Sequence, residues 1–158
     1  MSNVRIYTNA NCNGTYVNTN RSPDKFTGAG TPIPIAVPDD ATTTFTATVT
    51  LNGSVTPCSD PFTYVEDSTA PETTIDSGPS GSTADATPTF AFSSSEPGSS
   101  FQCRFDSAPF KPCSGPGNTH TPSNDLAAGP HVFKVRAIDA AVNTDATAAS
   151  RSFSFGPG

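Results

Sequence analysis

The chain has no tryptophan, a single methionine, and only 14% charged residues. Lys and Arg number 8 against 14 Asp and Glu, which leaves a formal net charge of −6. Its sequence shows no basic patch and no cations interleaved with aromatics, so a nucleic-acid partner is not expected. No apolar run is long enough for a membrane helix, so no membrane insertion is expected either. No apolar signal-peptide core follows Met1-Ser2-Asn3-Val4-Arg5. The chain therefore reads as a piece of a longer exported protein, or as one that leaves the cell by another route.

Catalytic patterns are missing as well. There is no Gly-x-Ser-x-Gly, no His-Glu-x-x-His and no phosphate-cradling loop. His120 and His131 lack zinc-finger spacing and read as surface residues rather than bases. The chain is not expected to be an enzyme.

What is abundant is turn-forming residue: 16 Pro and 12 Gly among 158 residues, with 11 Phe placed in short alternating clusters. Such a pattern resists helix and favours short half-buried strands. Thr42 to Leu51 alternates with Phe45, Ala47, Val49 and Leu51 on the face expected to point inward. Phe90 and Phe92 alternate in the same way, as do Phe101, Cys103 and Phe105, and then Phe133, Val135 and Ala137. Asn13-Gly14 and Asn52-Gly53 are hairpin signals. Residues 18–32 are polar and loop-like, and Ile33 to Pro38 reads as a proline-interrupted edge strand.

The strands fall into two similar series. Val4-Arg5-Ile6-Tyr7-Thr8-Asn9 aligns with Phe101-Gln102-Cys103-Arg104-Phe105-Asp106. Thr44 to Thr50 aligns with Val132 to Ile138, and Phe62 to Val65 aligns with the region of Phe153 to Phe155. The expected domains are therefore 1–66 and 67–158, with Glu66 to Pro71 as the joint. The second copy has residues 69–100 ahead of its middle strand, whereas the first has only Met1, Ser2 and Asn3. The fold class expected is all-β, two tandem β-sandwich domains, the first lacking its opening strands. Missing strands would leave Val4, Arg5, Ile6 and Tyr7 as an open edge, and open edges template pairing with another chain.

Four cysteines allow three pairings. One bridge per unit, Cys12 to Cys58 and Cys103 to Cys113, is the simplest. In the chain-entropy account the longer loop gives roughly 4 kcal/mol and the shorter about 3 kcal/mol. Thin domains need such staples, and staples imply export.

Several stretches carry a resemblance. They are Phe62 to Ile75, Thr87 to Glu96, Phe101 to Asp106, and Val135 to Asp145 with its Ala137-Ile138-Asp139 strand end. Together they resemble the bacterial Ig-like repeats of large exported and surface proteins, especially those of actinobacteria. The resemblance implies Ig-like sandwiches working as stalks, spacers or adhesive modules. That family usually has Gly before the Asn of the turn after the Ala-x-Asp strand, where this chain has Val142. Joints in some related repeats hold calcium. By that likeness Glu66, Asp67, Asp139 and Asp145 are candidate oxygen ligands for Ca²⁺, beside the simpler reading of a solvated acidic turn. No other cofactor is expected.

The leading expectation is a non-catalytic spacer segment of an extracellular or cell-surface protein, with neighbouring Ig-like domains or copies of itself as partners. One alternative is a fibre subunit whose first unit accepts a strand from a neighbour. The other is a glycan- or protein-binding adhesive module.

Overall fold

A computed structural model describes residues 3–19 and 34–156. Among these residues there is no helix, and the regular structure is strand arranged in largely antiparallel sheets. The chain divides into two compact units, Met1–Ser68 and Thr69–Gly158. The division falls two residues after the end of the 1–66 domain read from the sequence.

Unit one contains β1 (Asn3–Tyr7), β2 (Tyr16–Thr19), β3 (Thr42–Leu51), β4 (Ser54–Val55) and β5 (Phe62–Val65). Strand β1 lies between β2 and β3. The return stretch runs back along the other side of β3, starting as β4 and ending as β5. Between them, Thr56 N–H donates to the Val49 carbonyl and Ser59 N–H to that of Ala47. The β3–β4 turn follows its sequence signal, because Asn52 and Gly53 both take positive φ, 49° and 87°, as a type I′ turn requires. Asn13-Gly14 does not form such a turn. It belongs to a longer loop in which Cys12 and Gly14 hold positive φ.

Other expectations for unit one are corrected. Val4, Arg5, Ile6 and Tyr7 are not an open edge, because both sides of β1 are paired. In β3, Thr46 and Thr48 are the buried residues, at 2% and 6% exposure, while Leu51 is 48% exposed. Alternation says which residues share a face; which face is covered is decided by tertiary packing. Thr46 tolerates burial because its hydroxyl donates to the Asn9 carbonyl at 2.8 Å. Residues 34–38 form no strand, since Pro34 and Pro38 have no N–H to give a ladder. The polar stretch at 20–32, together with Ile33, lies outside the described residues.

Unit two contains β6 (Thr73–Ser77), β7 (Ser82–Thr83), β8 (Phe90–Ser94), β9 (Ser100–Phe105), β10 (Lys111–Pro112), β11 (Thr119–His120), β12 (Gly129–Ile138) and β13 (Ala149–Phe155). They make two sheets, one ordered β10-β9-β12-β13-β7 and the other β11-β8-β6. The sheets meet through a core of Phe90, Phe92, Cys103, Phe133, Val135 and Phe153, all buried, with Ile75, Phe101, Phe105 and Leu126 packed against it. Phe90 stacks on Phe133 with centroids 4.2 Å apart. The Arg151 guanidinium ties the layers again, donating to the Ile75 and Gly78 carbonyls. Strand β7, paired in parallel with β13, has no sequence signal because two residues carry no periodicity.

The two units share a pairing register. In unit one Asn3, Val4, Arg5, Ile6 and Tyr7 face Thr50, Val49, Thr48, Ala47 and Thr46. In unit two Ser100, Phe101, Gln102, Cys103 and Arg104 face Ile138, Ala137, Arg136, Val135 and Lys134. Every pair of the first series maps onto a pair of the second under the sequence alignment. Strands β6 and β8, which precede β9, lie in the opposite layer rather than beside it.

Gly78 sits where the chain leaves β6, with φ 130°, and a Cβ there would collide with the Phe90 ring. Both the backbone conformation and the space require glycine. Gly78→Ala is expected to destabilise unit two by at least about 3 kcal/mol, combining backbone strain with overpacking of the central ring. Chemical denaturation measures it, and a loss below about 1 kcal/mol would contradict this account.

Candidate functional site

In the turn after β12, Asp139 accepts the Asn143 N–H at 2.8 Å and the Asn143 side-chain amide at 2.9 Å. Asp145 accepts the Thr73 N–H through Oδ2 and the Thr147 N–H and hydroxyl through Oδ1. Burial raises the Asp145 carboxyl, but hydrogen bonds from Thr73 and Thr147 outweigh it and hold the group below the usual carboxylate range. Asp139 is 8% and Asp145 3% exposed, so the picture of a solvated acidic turn is corrected. These carboxylates lock the turn and pin it to β6.

The other two calcium candidates belong to unit one. Glu66 Oε2 accepts the Asp40 N–H at 2.7 Å, and Asp40 in turn accepts the Ser68 N–H. Asp67 is exposed. The carboxylates of Glu66, Asp139 and Asp145 thus serve backbone amides within their own units.

Val142, at the crest of the turn, is 78% exposed with φ 74°. That region is unfavourable for a β-branched residue. Val142→Gly removes about 1–2 kcal/mol of strain while adding about 0.4–1 kcal/mol of unfolded-state entropy. A net gain of about 1 kcal/mol is expected in denaturant unfolding; a loss of stability would show that the Val142 side chain holds the turn.

Both disulfides are formed, Cys12 to Cys58 over a separation of 46 and Cys103 to Cys113 over 10. No cysteine is free. This pairing fits an oxidising environment.

Neither histidine is an ordinary surface residue. His120 lies in β11, half-buried, its ring stacked 5.7 Å from Phe133. Burial pushes its pKa down. Its Nδ1 accepts the Ser114 N–H at 3.0 Å. The Ser114 hydroxyl also lies 3.0 Å from Nδ1, but it donates to the Thr121 carbonyl at 2.8 Å and so locks the loop. His131 places Nδ1 2.8 Å from an Asp106 oxygen and Nε2 2.7 Å from the Ala127 carbonyl. Two acceptors facing two ring nitrogens favour imidazolium. The Ala127 carbonyl and then Asp106 raise its pKa. On the partner, burial raises the Asp106 carboxyl, but the hydrogen bonds from His131 and Val132 N–H carry it below its ordinary value.

The signs then follow. The His131 contribution is complete below about pH 6.5 and fades as pH rises through the raised folded value. The Asp106 contribution is present above about pH 4 and fades on acidification. His120 opposes His131, because a histidine buried neutral loses stability as pH falls below about 6.5. The melting-temperature gap between the wild type and His131→Asn is therefore expected to be larger at pH 5.5 than at pH 8.5. An equal gap at both values would remove the charged pair.

The side of the large sheet facing away from the core carries a feature that the linear pattern conceals. Arg104, Lys134 and Arg136 alternate outward from β9 and β12, and Arg104 pairs directly with Lys134. Phe110, in the loop before β10, lies under both guanidiniums, 4.5 Å from Arg104 and 4.3 Å from Arg136. Arg136 Nε and Nη2 are anchored on Gln102 Oε1 at 3.0 and 2.7 Å. Arg104, Phe110, Lys134 and Arg136, with Thr147 and Asp145, line a cleft of about 420 Å³. Three of the 8 basic residues thus converge on one face, correcting the expectation of no basic patch. The sequence signal is the i, i+2 spacing of Lys134 and Arg136, but Arg104 and Phe110 join only through the register.

No protein-family model matches the chain, and neither does any curated protein. No helix among the described residues is long and apolar enough to cross a membrane.

Proposed function

We propose that this chain is a non-catalytic structural segment of an extracellular or cell-surface protein, built of two tandem Ig-like β-sandwich units. The observation that carries the reading is the common register of β1–β3 and β9–β12. Each unit also has its own disulfide. A repeated frame with a covalent staple in each copy suits a spacer that must resist proteolysis outside the cell, where chaperones are scarce. The resemblance to bacterial Ig-like repeats points the same way. The neighbours it would engage are further Ig-like domains or copies of the chain.

A second reading is a self-assembling fibre subunit, in which strands from another copy complete unit one. Its support is the distribution of exposed large apolar side chains. Among the described residues Tyr16, Val17, Leu51, Val55, Phe62, Tyr64 and Val65 lie in unit one, with only Val142 in unit two, and Phe62 and Val65 are 65% and 66% exposed. In this reading the donated strands cover a face or extend β5, not β1.

Protease challenge of the oxidised and reduced chain tests the first reading. The oxidised form is expected to survive trypsin and thermolysin at least about tenfold longer, in line with the few kcal/mol that each bridge contributes. Equal lifetimes would count against a stapled spacer. Sedimentation of the same oxidised sample separates the second reading: a monomer at micromolar concentration rules it out, and open-ended polymers establish it.

A further inference from the structure

We propose that the outward face of the β9–β12 sheet in unit two binds a small ligand through an oxyanion, a carboxylate or a sulfate or phosphate monoester, held by Arg104, Lys134 and Arg136 over the Phe110 ring.

Three observations converge on it. The first is the state of the cations. Arg104, Lys134 and Arg136 are all half-buried, yet among the described residues none of them makes an ion pair, although the chain carries 14 acidic residues. Their stems are part-covered while the heads keep access to solvent, so the charges stay available to an arriving anion. Asp145 reaches the cleft wall, but its oxygens are taken by Thr73 and Thr147.

The second is the spacing of the charges. Both guanidiniums lie within 4.5 Å of one ring centroid, so their separation does not exceed about a Debye length. The ring stabilises each by about 0.5–1 kcal/mol and holds like charges together. An arriving anion would relieve that repulsion, so the site is poised before the ligand comes. Lys134, directly opposite Arg104, adds a mobile third donor.

The third is the donor geometry. Gln102 fixes the plane of the Arg136 fork through Nε and Nη2. Arg104 Nε is buried with no hydrogen-bond partner, and a buried donor left unmade is costly. A fixed fork, a second guanidinium and an ammonium around one cleft match the three oxygens of a sulfate or phosphate ester, or the two of a carboxylate. The cleft, of about 420 Å³, admits a ligand of sugar size. The net charge of −6 works against long polyanions such as nucleic acids, and favours a single charged group read at short range.

The test is titration of the whole oxidised chain, isotope-labelled, followed by NMR. The probes are sodium sulfate, sodium phosphate and sodium glucuronate, each against sodium chloride at matched ionic strength. Saturable shifts are expected at the Arg104 and Arg136 Nε–H signals and at the amides of β9 and β12. Sulfate or phosphate binding more tightly than glucuronate would identify an ester as the ligand; the reverse order would identify a uronate. Lys134→Gln and Arg104→Gln are each expected to weaken binding about tenfold, the worth of one charge-assisted hydrogen bond, with unchanged melting for Lys134→Gln. Lys111→Gln, a cation outside the cleft, should leave binding as it was. Shifts that follow chloride equally, or an equal loss in Lys111→Gln, would overturn the site. So would preferential binding of an oligonucleotide over all three small probes.

Discussion

Phe90 lying flat on Phe133 is the contact on which unit two depends. It joins the middle strand of the small sheet to the middle strand of the large one. Phe105, Phe153 and His120 are arranged around the pair at centroid distances of 5.3 to 5.9 Å. With both rings wholly buried, each contributes about 1.5–3 kcal/mol of transfer energy. The stack sets the spacing of the layers, and that spacing lets Arg151 reach the β6 carbonyls and Thr73 reach Asp145. It also explains why Gly78 is closed to any side chain.

Among its described residues, unit one uses the same strand frame without an equivalent stack. Its described residues form a single layer, and its buried positions include Thr46 and Thr48, with Tyr7 on the same face. In unit two the corresponding positions, Arg104, Lys134 and Arg136, point away from the core. Unit one thus has buried residues on both faces of the frame, Tyr7, Thr46 and Thr48 on one and Val4 on the other. Thr46 accommodates its burial because its hydroxyl donates to the Asn9 carbonyl, in the loop between β1 and β2.

This contrast explains what could be read from the sequence. The strong apolar alternation of Phe90-Phe92, Phe101-Cys103-Phe105 and Phe133-Val135-Ala137 gave strands and inward faces correctly, because period-two patterning and burial agree there. The alignment of the two series marked equivalent strands; the register they share is seen only in the pairing itself. The covered side of β3 was not legible, since Thr and Ala are nearly neutral toward burial. The paired state of β1 was missed because sequence order does not say which layer a preceding strand enters. Asp139 and Asp145 read as solvated acids because their burial comes from the fold; Asn143 and Thr147 are local partners, but the Thr73 contact spans 72 residues. The cationic cleft depended on which residues β9 and β12 bring opposite each other, and on a Phe110 contact outside any strand.

The Cys12–Cys58 bridge carries a mechanical consequence. Its sulfurs close a ring around a sequence separation of 46, so a pull applied beyond both cysteines bypasses everything between them. Opened and drawn out, that stretch would add roughly 150 Å of contour at about 3.3 Å per residue. With the bond intact, tension passes from Cys12 straight across to Cys58, and the module can lose its fold under load without growing much longer.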